Sequence, residues 1–192
     1  MVNKRYFIFN KPFGVLSQFT REIPEHKVIG DFFEFPKDIY PVGRLDKDSE
    51  GLLLLTNDNS FIERILNPDN KKSKTYLAQV DGQISEDAIR NLQNGVSIKL
   101  PSKKLYKTLP AKVKKYQGEP IEEREPPIRV RKNIPTSWIE ITIHEGKNRQ
   151  VRKMCAKVGF PVLRLIRTKI ENFTLQNLDT GEVKEIFPED RG

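Results

Sequence analysis

Apolar residues along this chain come in short runs, most of a length that suits strands. Arg5 to Asn10 predicts a buried strand, ended by a turn at Lys11-Pro12-Phe13-Gly14. Leu52 to Thr56 is nearly all aliphatic, the pattern of a strand covered on both faces. Thr75 to Val80 and Val96 to Leu100 predict two more strands. Ser137 to His144 alternates, with Ile139, Ile141 and Ile143 on one face and Glu140, Thr142 and His144 on the other. A further strand is expected from Val162 to about Thr168. Phe173-Thr174-Leu175 and Val183 to Ile186 flank Asp179-Thr180-Gly181-Glu182, which reads as a hairpin turn.

Helical spacing is rarer. Val28 to Phe35 predicts a short helix with Ile29, Phe32 and Phe33 inward. Asn57-Asp58-Asn59 offers caps for a helix over Phe61 to Leu66, which ends before Pro68. Ser85 caps the next helix, Glu86 and Asp87 suit its positive end, and Gly95 closes it. Ile84 and Ile89 fit a hydrophobic staple there. A last helix runs from Arg149 to Val158. At about 100° per residue, Val151, Met154, Cys155 and Val158 share one arc, and Arg149, Arg152, Lys153 and Lys157 lie opposite. This helix buries one face and offers a cationic one. Cys155 lies on the buried arc, so it reads as packing and not as a reactive thiol.

Lys103 to Pro135 is the least regular region, with prolines at 110, 120, 126, 127 and 135 and a turn at Gln117-Gly118-Glu119-Pro120. One strand is expected within it, about Ala111 to Tyr116, and the rest reads as a long basic loop. Strands outnumber helices and many are joined by turns. The expected class is α+β, with a mixed, mainly antiparallel central sheet and flanking helices.

A length of 192 residues suits one domain or two small halves, and 36% hydrophobic with 31% charged residues suits a soluble globular chain. The longest aliphatic run, Leu52 to Leu55, is far too short to span a membrane, and the first residues lack a signal-peptide core. Cys155 is the only cysteine, which excludes an intrachain disulfide. With only His26 and His144 besides, no Cys/His zinc site is expected. These features point to the cytoplasm.

The net charge of +8 is unevenly spread. Lys147 to Lys169 holds eight Lys/Arg and no acid, and Lys103 to Asn133 holds ten Lys/Arg and four Glu, so the remainder carries 8 − 8 − 6 = −6. Two basic segments on an acidic body are the pattern of a nucleic-acid footprint, with a solvated charged surface as the plainer alternative.

Candidate chemistry centres on Tyr40-Pro41-Val42-Gly43-Arg44-Leu45-Asp46, followed by Asp48-Ser49-Glu50-Gly51 and the apolar strand. One acid, Asp46, sits two residues after an arginine in a Pro/Gly-bounded loop at a sheet edge. An adjacent cation favours the ionised form of a carboxylate, which suits a single-acid nucleophile or base. A loop acid simply paired with Arg44 is the alternative. A metal-dependent nuclease would need convergent carboxylates, for which Asp46 and Asp48 are the nearby candidates. There is no phosphate-binding glycine loop, and no cofactor or metal is expected.

The segment from Tyr40 to Asp58 resembles the catalytic motif of the ribosomal pseudouridine synthases, in the group that joins the small-subunit enzyme to the B, E and F types of the large one. Asn10 to Leu16, Lys74-Thr75-Tyr76, Glu145 to Met154 and Leu163 to Arg167 resemble that family's other motifs, in order. Pro126 to Arg129 and Ile134 to Trp138 narrow the likeness to the E type. Many members carry an S4-like domain before the catalytic one. Here the first core strand begins at about residue 5, so none is expected.

The resemblance implies one catalytic domain, residues 1–192, of two halves on one sheet with a cleft between them. It implies isomerisation of a uridine in large-subunit ribosomal RNA, with Asp46 as catalytic acid, Arg152 as its partner and Tyr76 against the target base. Leu165 would form an apolar wall beside the base. Arg44, Lys11, Lys147, Arg149, Lys153, Lys157 and Arg167 would contact the RNA. The Lys11-Pro12 turn would also support the catalytic loop. The alternatives are a half-buried strand aromatic for Tyr76 and a plain core leucine for Leu165. Lys147 stands where arginine is usual and Glu171 where glycine is common. The implied enzyme is a monomer with no obligate protein partner and no membrane partner. A ribosomal-RNA-binding or assembly module that kept the fold and lost the reaction is the alternative function.

Overall fold

The computed structural model describes residues 3–128 and 135–187. Expectations that fall on residues 129–134, including Arg129 and Ile134, lie outside them. The chain forms two compact units, one from residues up to Lys72 together with Ile166 onward, the other from Ser73 to Leu165.

The first unit opens with β1 (Tyr6–Lys11), β2 (Val15–Leu16), β3 (Lys27–Val28), β4 (Tyr40–Pro41), β5 (Glu50–Thr56) and α1 (Asn59–Leu66). The second holds β6 (Lys74–Asp81), α2 (Glu86–Gln93), β7 (Ser97–Lys99), β8 (Leu105–Lys107), β9 (Lys112–Lys115), β10 (Thr136–Ile143) and α3 (Gln150–Lys157). The strand β11 (Val162–Ile170) begins in the second unit and ends in the first, which β12 (Phe173–Thr174) and β13 (Val183–Ile186) complete.

In the first unit the strand order is β13-β1-β5-β11. β1 is antiparallel to both neighbours, and β5 meets β11 in parallel, Ile166 beside Glu50 and Arg167 beside Gly51. Every residue of β5 is buried, as its apolar run requires. Tyr6, Ile8, Leu52 and Leu54 pack with Phe61 and Ile65 of α1 and with Ile170, Phe173 and Ile186. Asp58 caps α1 by accepting from Ser60 N at 3.1 Å and Phe61 N at 3.4 Å, and it also accepts from the Tyr6 hydroxyl at 2.6 Å. Burial raises the pKa of that carboxyl. Hydrogen bonds from Ser60, Tyr6 and Lys4 outweigh burial and hold it well below the usual range.

In the second unit β6 and β9 flank β10, both antiparallel to it. Ile139, Ile141 and Ile143 are buried, as the alternation predicts. Ser85 accepts from Ala88 N at 3.2 Å to cap α2. Val151, Met154 and Cys155 form the buried side of α3. The mixed, mainly antiparallel architecture is the expected one. No helix among the described residues is long and apolar enough to cross a membrane.

Three local expectations are corrected. Val28 to Phe35 holds a single 3-10 turn, Ile29–Asp31, and no longer helix. Phe33 and Phe35 both pack on Phe7, with ring centroids 5.8 and 5.4 Å away. Residues two apart share a side only in extended chain. Secondly, Asp179 to Glu182 is a turn, but its flanking strands do not pair with each other. β13 pairs with β1, and β12 folds back on β11 through Ile170 and Phe173. Finally, the basic stretch is more regular than a loop, because β8 pairs with β7 in a hairpin.

Candidate active site

The loop bearing Asp46 is held by its backbone. Val42 N donates to Leu54 O at 2.7 Å, which ties the loop's start to β5. The Ser17 hydroxyl accepts from Leu45 N at 3.0 Å and donates to Leu45 O at 2.9 Å. Asp46 O accepts from Ser49 N at 3.0 Å, and Lys47 O accepts from Gly14 N at 2.8 Å. Three consecutive carbonyls are therefore fixed around one half-buried acid. Buried Leu45 anchors the loop from below, while Arg44 is exposed beside it. Such fixing satisfies backbone groups that could otherwise reach water only by moving, and it pre-positions the carboxylate.

Lys11 does not sit where an RNA contact must. Its side chain is 0% exposed, and its ammonium donates to Pro12 O at 2.9 Å and Val15 O at 2.8 Å. The lysine closes the 12–15 turn from inside, and that turn supplies Gly14 N to the loop bearing Asp46. Burial pushes the ammonium down to about 8. Glu50, Asp48 and Asp46 pull it upward, while Arg167 adds to the fall.

Gly51, the register partner of Lys11 on β5, has φ +99°, and a Cβ there would lie 2.3 Å from Arg167 O. The parallel approach of β11 thus admits only glycine at this point. Arg167 is 4% exposed and donates from Nε to Leu52 O at 2.8 Å, so it braces β5 from within instead of facing solvent.

In the second unit Tyr76 lies on the buried face of β6 with Ala78 and Val80, and at 8% exposure it is the least covered of the three. Leu165 is buried in β11. Arg152 is half-buried on α3, and its Nη1 donates to Val162 O at 3.3 Å. Burial pushes the Cys155 thiol up to about 12, with Arg152 pulling slightly back, so the thiol is inert packing. Arg164 is buried, donates to Glu122 O and lies 6.0 Å from the Trp138 ring centroid. The +8 of this segment is thus partly internal. Arg149, Lys157 and Lys169 are exposed, and Lys147 and Lys153 half-exposed.

Ser17, Gly14 and Gly51 were not visible as site residues beforehand. Their roles come from nonlocal backbone approaches, which leave no pattern in sequence. Glu171, where the resemblance leads to an expectation of glycine, has φ +50°. It opens the tight turn from β11 to β12 in the left-handed region, and its carboxylate pairs with Lys72 at 3.2 Å. The turn geometry is kept without the glycine.

Residues 5–157 match the family described as RNA pseudouridylate synthase. Over 184 residues the chain is 47% identical to the ribosomal large subunit pseudouridine synthase E of Vibrio parahaemolyticus, covering 96% of this chain and 74% of that protein. It is 43% identical over 177 residues to the ribosomal large subunit pseudouridine synthase E of Xanthomonas campestris, covering 91% of each. A solved pseudouridylate synthase structure superposes with a TM-score of 0.77 at 29% identity, covering 98% of this chain and 72% of that one. With matches of this extent, the chain belongs to the RNA pseudouridylate synthase family and is a pseudouridine synthase.

Proposed function

We propose that the substrate is a uridine in a structured region of large-subunit ribosomal RNA and that Asp46 initiates its conversion to pseudouridine. The base is detached from ribose, rotated and rejoined through carbon, with no redox change and no energy donor. The observation that carries the reading is the catalytic loop. It presents one half-buried carboxylate on a backbone pinned at three successive carbonyls. A binding module has no need of that acid or of its fixing. The similar proteins from Vibrio and Xanthomonas, named for the large ribosomal subunit, support the substrate class.

A base in folded RNA must be swung out at a cost of a few kcal/mol. Stacking on an aromatic returns roughly 1–3 kcal/mol. Tyr76 takes that stacking role, Leu165 walls the base, and Arg152 acts with Asp46 in the chemical step. Arg44, Lys147, Arg149, Lys153 and Lys157 hold the RNA backbone. The chain works without an obligate protein partner, in the cytoplasm where ribosomes are built.

The test is to map pseudouridine in ribosomal RNA from cells with and without this chain, then treat the unmodified RNA with pure protein. One large-subunit site should disappear and be restored in the tube, with or without a chelator. Maps that do not differ would refute the substrate assignment. Binding without conversion would favour the silent module, and chelator-sensitive cleavage would favour the nuclease.

A further inference from the structure

The β7–β8 hairpin has two unlike faces. Its register sets Ser97 opposite Lys107, Ile98 opposite Tyr106 and Lys99 opposite Leu105. Paired residues share a face. Ile98 and Tyr106 look inward, while Lys99, Leu105 and Lys107 look out, with Leu105 77% exposed. The tip is closed by Lys103 N to Leu100 O and Leu100 N to Lys104 O, both 2.9 Å. From Ser97 to Lys107 there are four lysines and no acid. Lys107 is spent on Gly95 O. Lys99, Lys103 and Lys104 have no ion pair among the described residues. In contrast, Lys114 and Lys115 of β9 are neutralised by Glu140 and Glu86. The hairpin is therefore an exposed cationic ribbon with one apolar side chain at its centre, a surface suited to a polyanion that also offers sugar and base edges.

Its inner face is tied to the start of α3. The Tyr106 hydroxyl donates to Glu145 Oε2 at 2.5 Å, and Leu109 N donates to Glu145 Oε1 at 2.9 Å. The same Oε1 accepts from Gln150 Nε2 at 2.6 Å, while Gln150 Oε1 accepts from Lys147 N at 2.9 Å. Lys147 Nζ stands 4.9 Å from the Tyr106 ring centroid. The residue before α3, Arg149, has φ 50° and makes no side-chain cap. Buried Gln150 instead closes the turn that leads into the helix, by accepting from Lys147 N, and Glu145 holds Gln150. One carboxylate thus takes three donors and joins hairpin to helix.

We propose that the hairpin Ser97–Lys107 is a docking surface for the RNA phosphate backbone, and that Glu145 is the joint fixing it to the helix that carries Arg152. Tyr106, Glu145 and Gln150 are positioning residues, and Tyr106 is thereby unavailable to stack on a base. The inference rests on the reading that RNA is the substrate.

The experiment measures RNA affinity against salt, and single-turnover rate at saturating RNA. The proteins are wild type, a Lys103→Ala/Lys104→Ala double variant, Lys37→Ala as an exposed control, Tyr106→Phe and Glu145→Gln. The double variant should lose affinity and flatten the log–log salt slope by about 1.4–1.8, two contacts at about 0.7–0.9 each. Lys37→Ala should change neither. Tyr106→Phe keeps the ring beneath Lys147 and removes one donor to Glu145. Its saturating rate should fall about tenfold, the worth of one charge-assisted hydrogen bond. Glu145→Gln should fall at least as far, and Tyr106→Phe decides if Glu145→Gln does not fold. Unchanged affinity and slope in the double variant would overturn the docking surface. A Tyr106→Phe protein that loses only stability, at wild-type rate, would overturn the joint. Wild-type protein that binds RNA but forms no pseudouridine would refute the proposed function while leaving the binding comparison intact.

Discussion

Replacing Lys11 with methionine removes a wholly buried ammonium but keeps an unbranched side chain of similar length. While charged, a lysine held at about 8 instead of 10.5 costs the fold about 3 kcal/mol. Against that stand its bonds to Pro12 O and Val15 O, whose loss costs about 1–3 kcal/mol each where the carbonyl stays buried. Near pH 7 the two effects largely offset, so the absolute stability of Lys11→Met is a weak test. The pH slope is a strong one. The folded state binds fewer protons than the unfolded chain between about pH 8 and 10.5, so this group's contribution to stability rises with pH across that window. Between pH 7 and 10 wild type should gain about 2 kcal/mol relative to Lys11→Met. The comparison must be between the two proteins. The raised pKa of buried Cys155, and that of Tyr106 bonded to Glu145, lower stability at alkaline pH in both. Urea unfolding at pH 7, 8, 9 and 10 reads the difference. Parallel pH profiles would refute the assignment. The variant should also turn over slowly, since the turn that supplies Gly14 N to Lys47 O has lost its internal tie. Wild-type turnover would show that the loop does not depend on it.

Gly51→Ala should cost about 3 kcal/mol or more, from a left-handed backbone and a Cβ driven into Arg167 O, and urea unfolding measures it. At Glu171, glycine should stay within about 1 kcal/mol of wild type, because relief at φ +50° offsets the lost Lys72 pair and added chain entropy. Glu171→Val should lose more than about 1 kcal/mol, and equal melting of the two would refute the strain argument. Arg152→Ala should depress single-turnover rate at saturating RNA, whereas Lys157→Ala should weaken binding and flatten its salt dependence by about 0.7–0.9. Equal saturating rates for the two would show that the division of labour is wrong.

What was legible in the sequence was local. The all-aliphatic β5, the alternation of β10, the Asp58 and Ser85 caps and the apolar arc of α3 are each set by neighbours in the chain, and each forms as read. What was not legible depended on distant partners. Ile186 pairs with Tyr6 at the other end of the chain, so the strand after Glu182 leaves its neighbour for β1. β8 is three residues long, with Leu105 outward and Lys107 beside it, and it carries no apolar signal of its own. Charge counting could not tell Arg164, Arg167 and Lys11 from surface cations, because burial is decided by packing. Asp46 was found by the wording of its loop. The three hydrogen bonds that fix it come from Ser17, Ser49 and Gly14, and only Ser49 lies within four residues of it.

The most direct measurement is single-turnover pseudouridine formation in unmodified large-subunit ribosomal RNA by Asp46→Asn protein, alongside its RNA affinity and its urea midpoint. The substitution keeps the side chain's shape and the backbone bonds around it, and removes only the carboxylate. The expected result is a folded protein that binds RNA as wild type does and forms no pseudouridine. Substantial turnover by that folded variant would contradict the account, because the reaction would then run without the one group the loop is built to present.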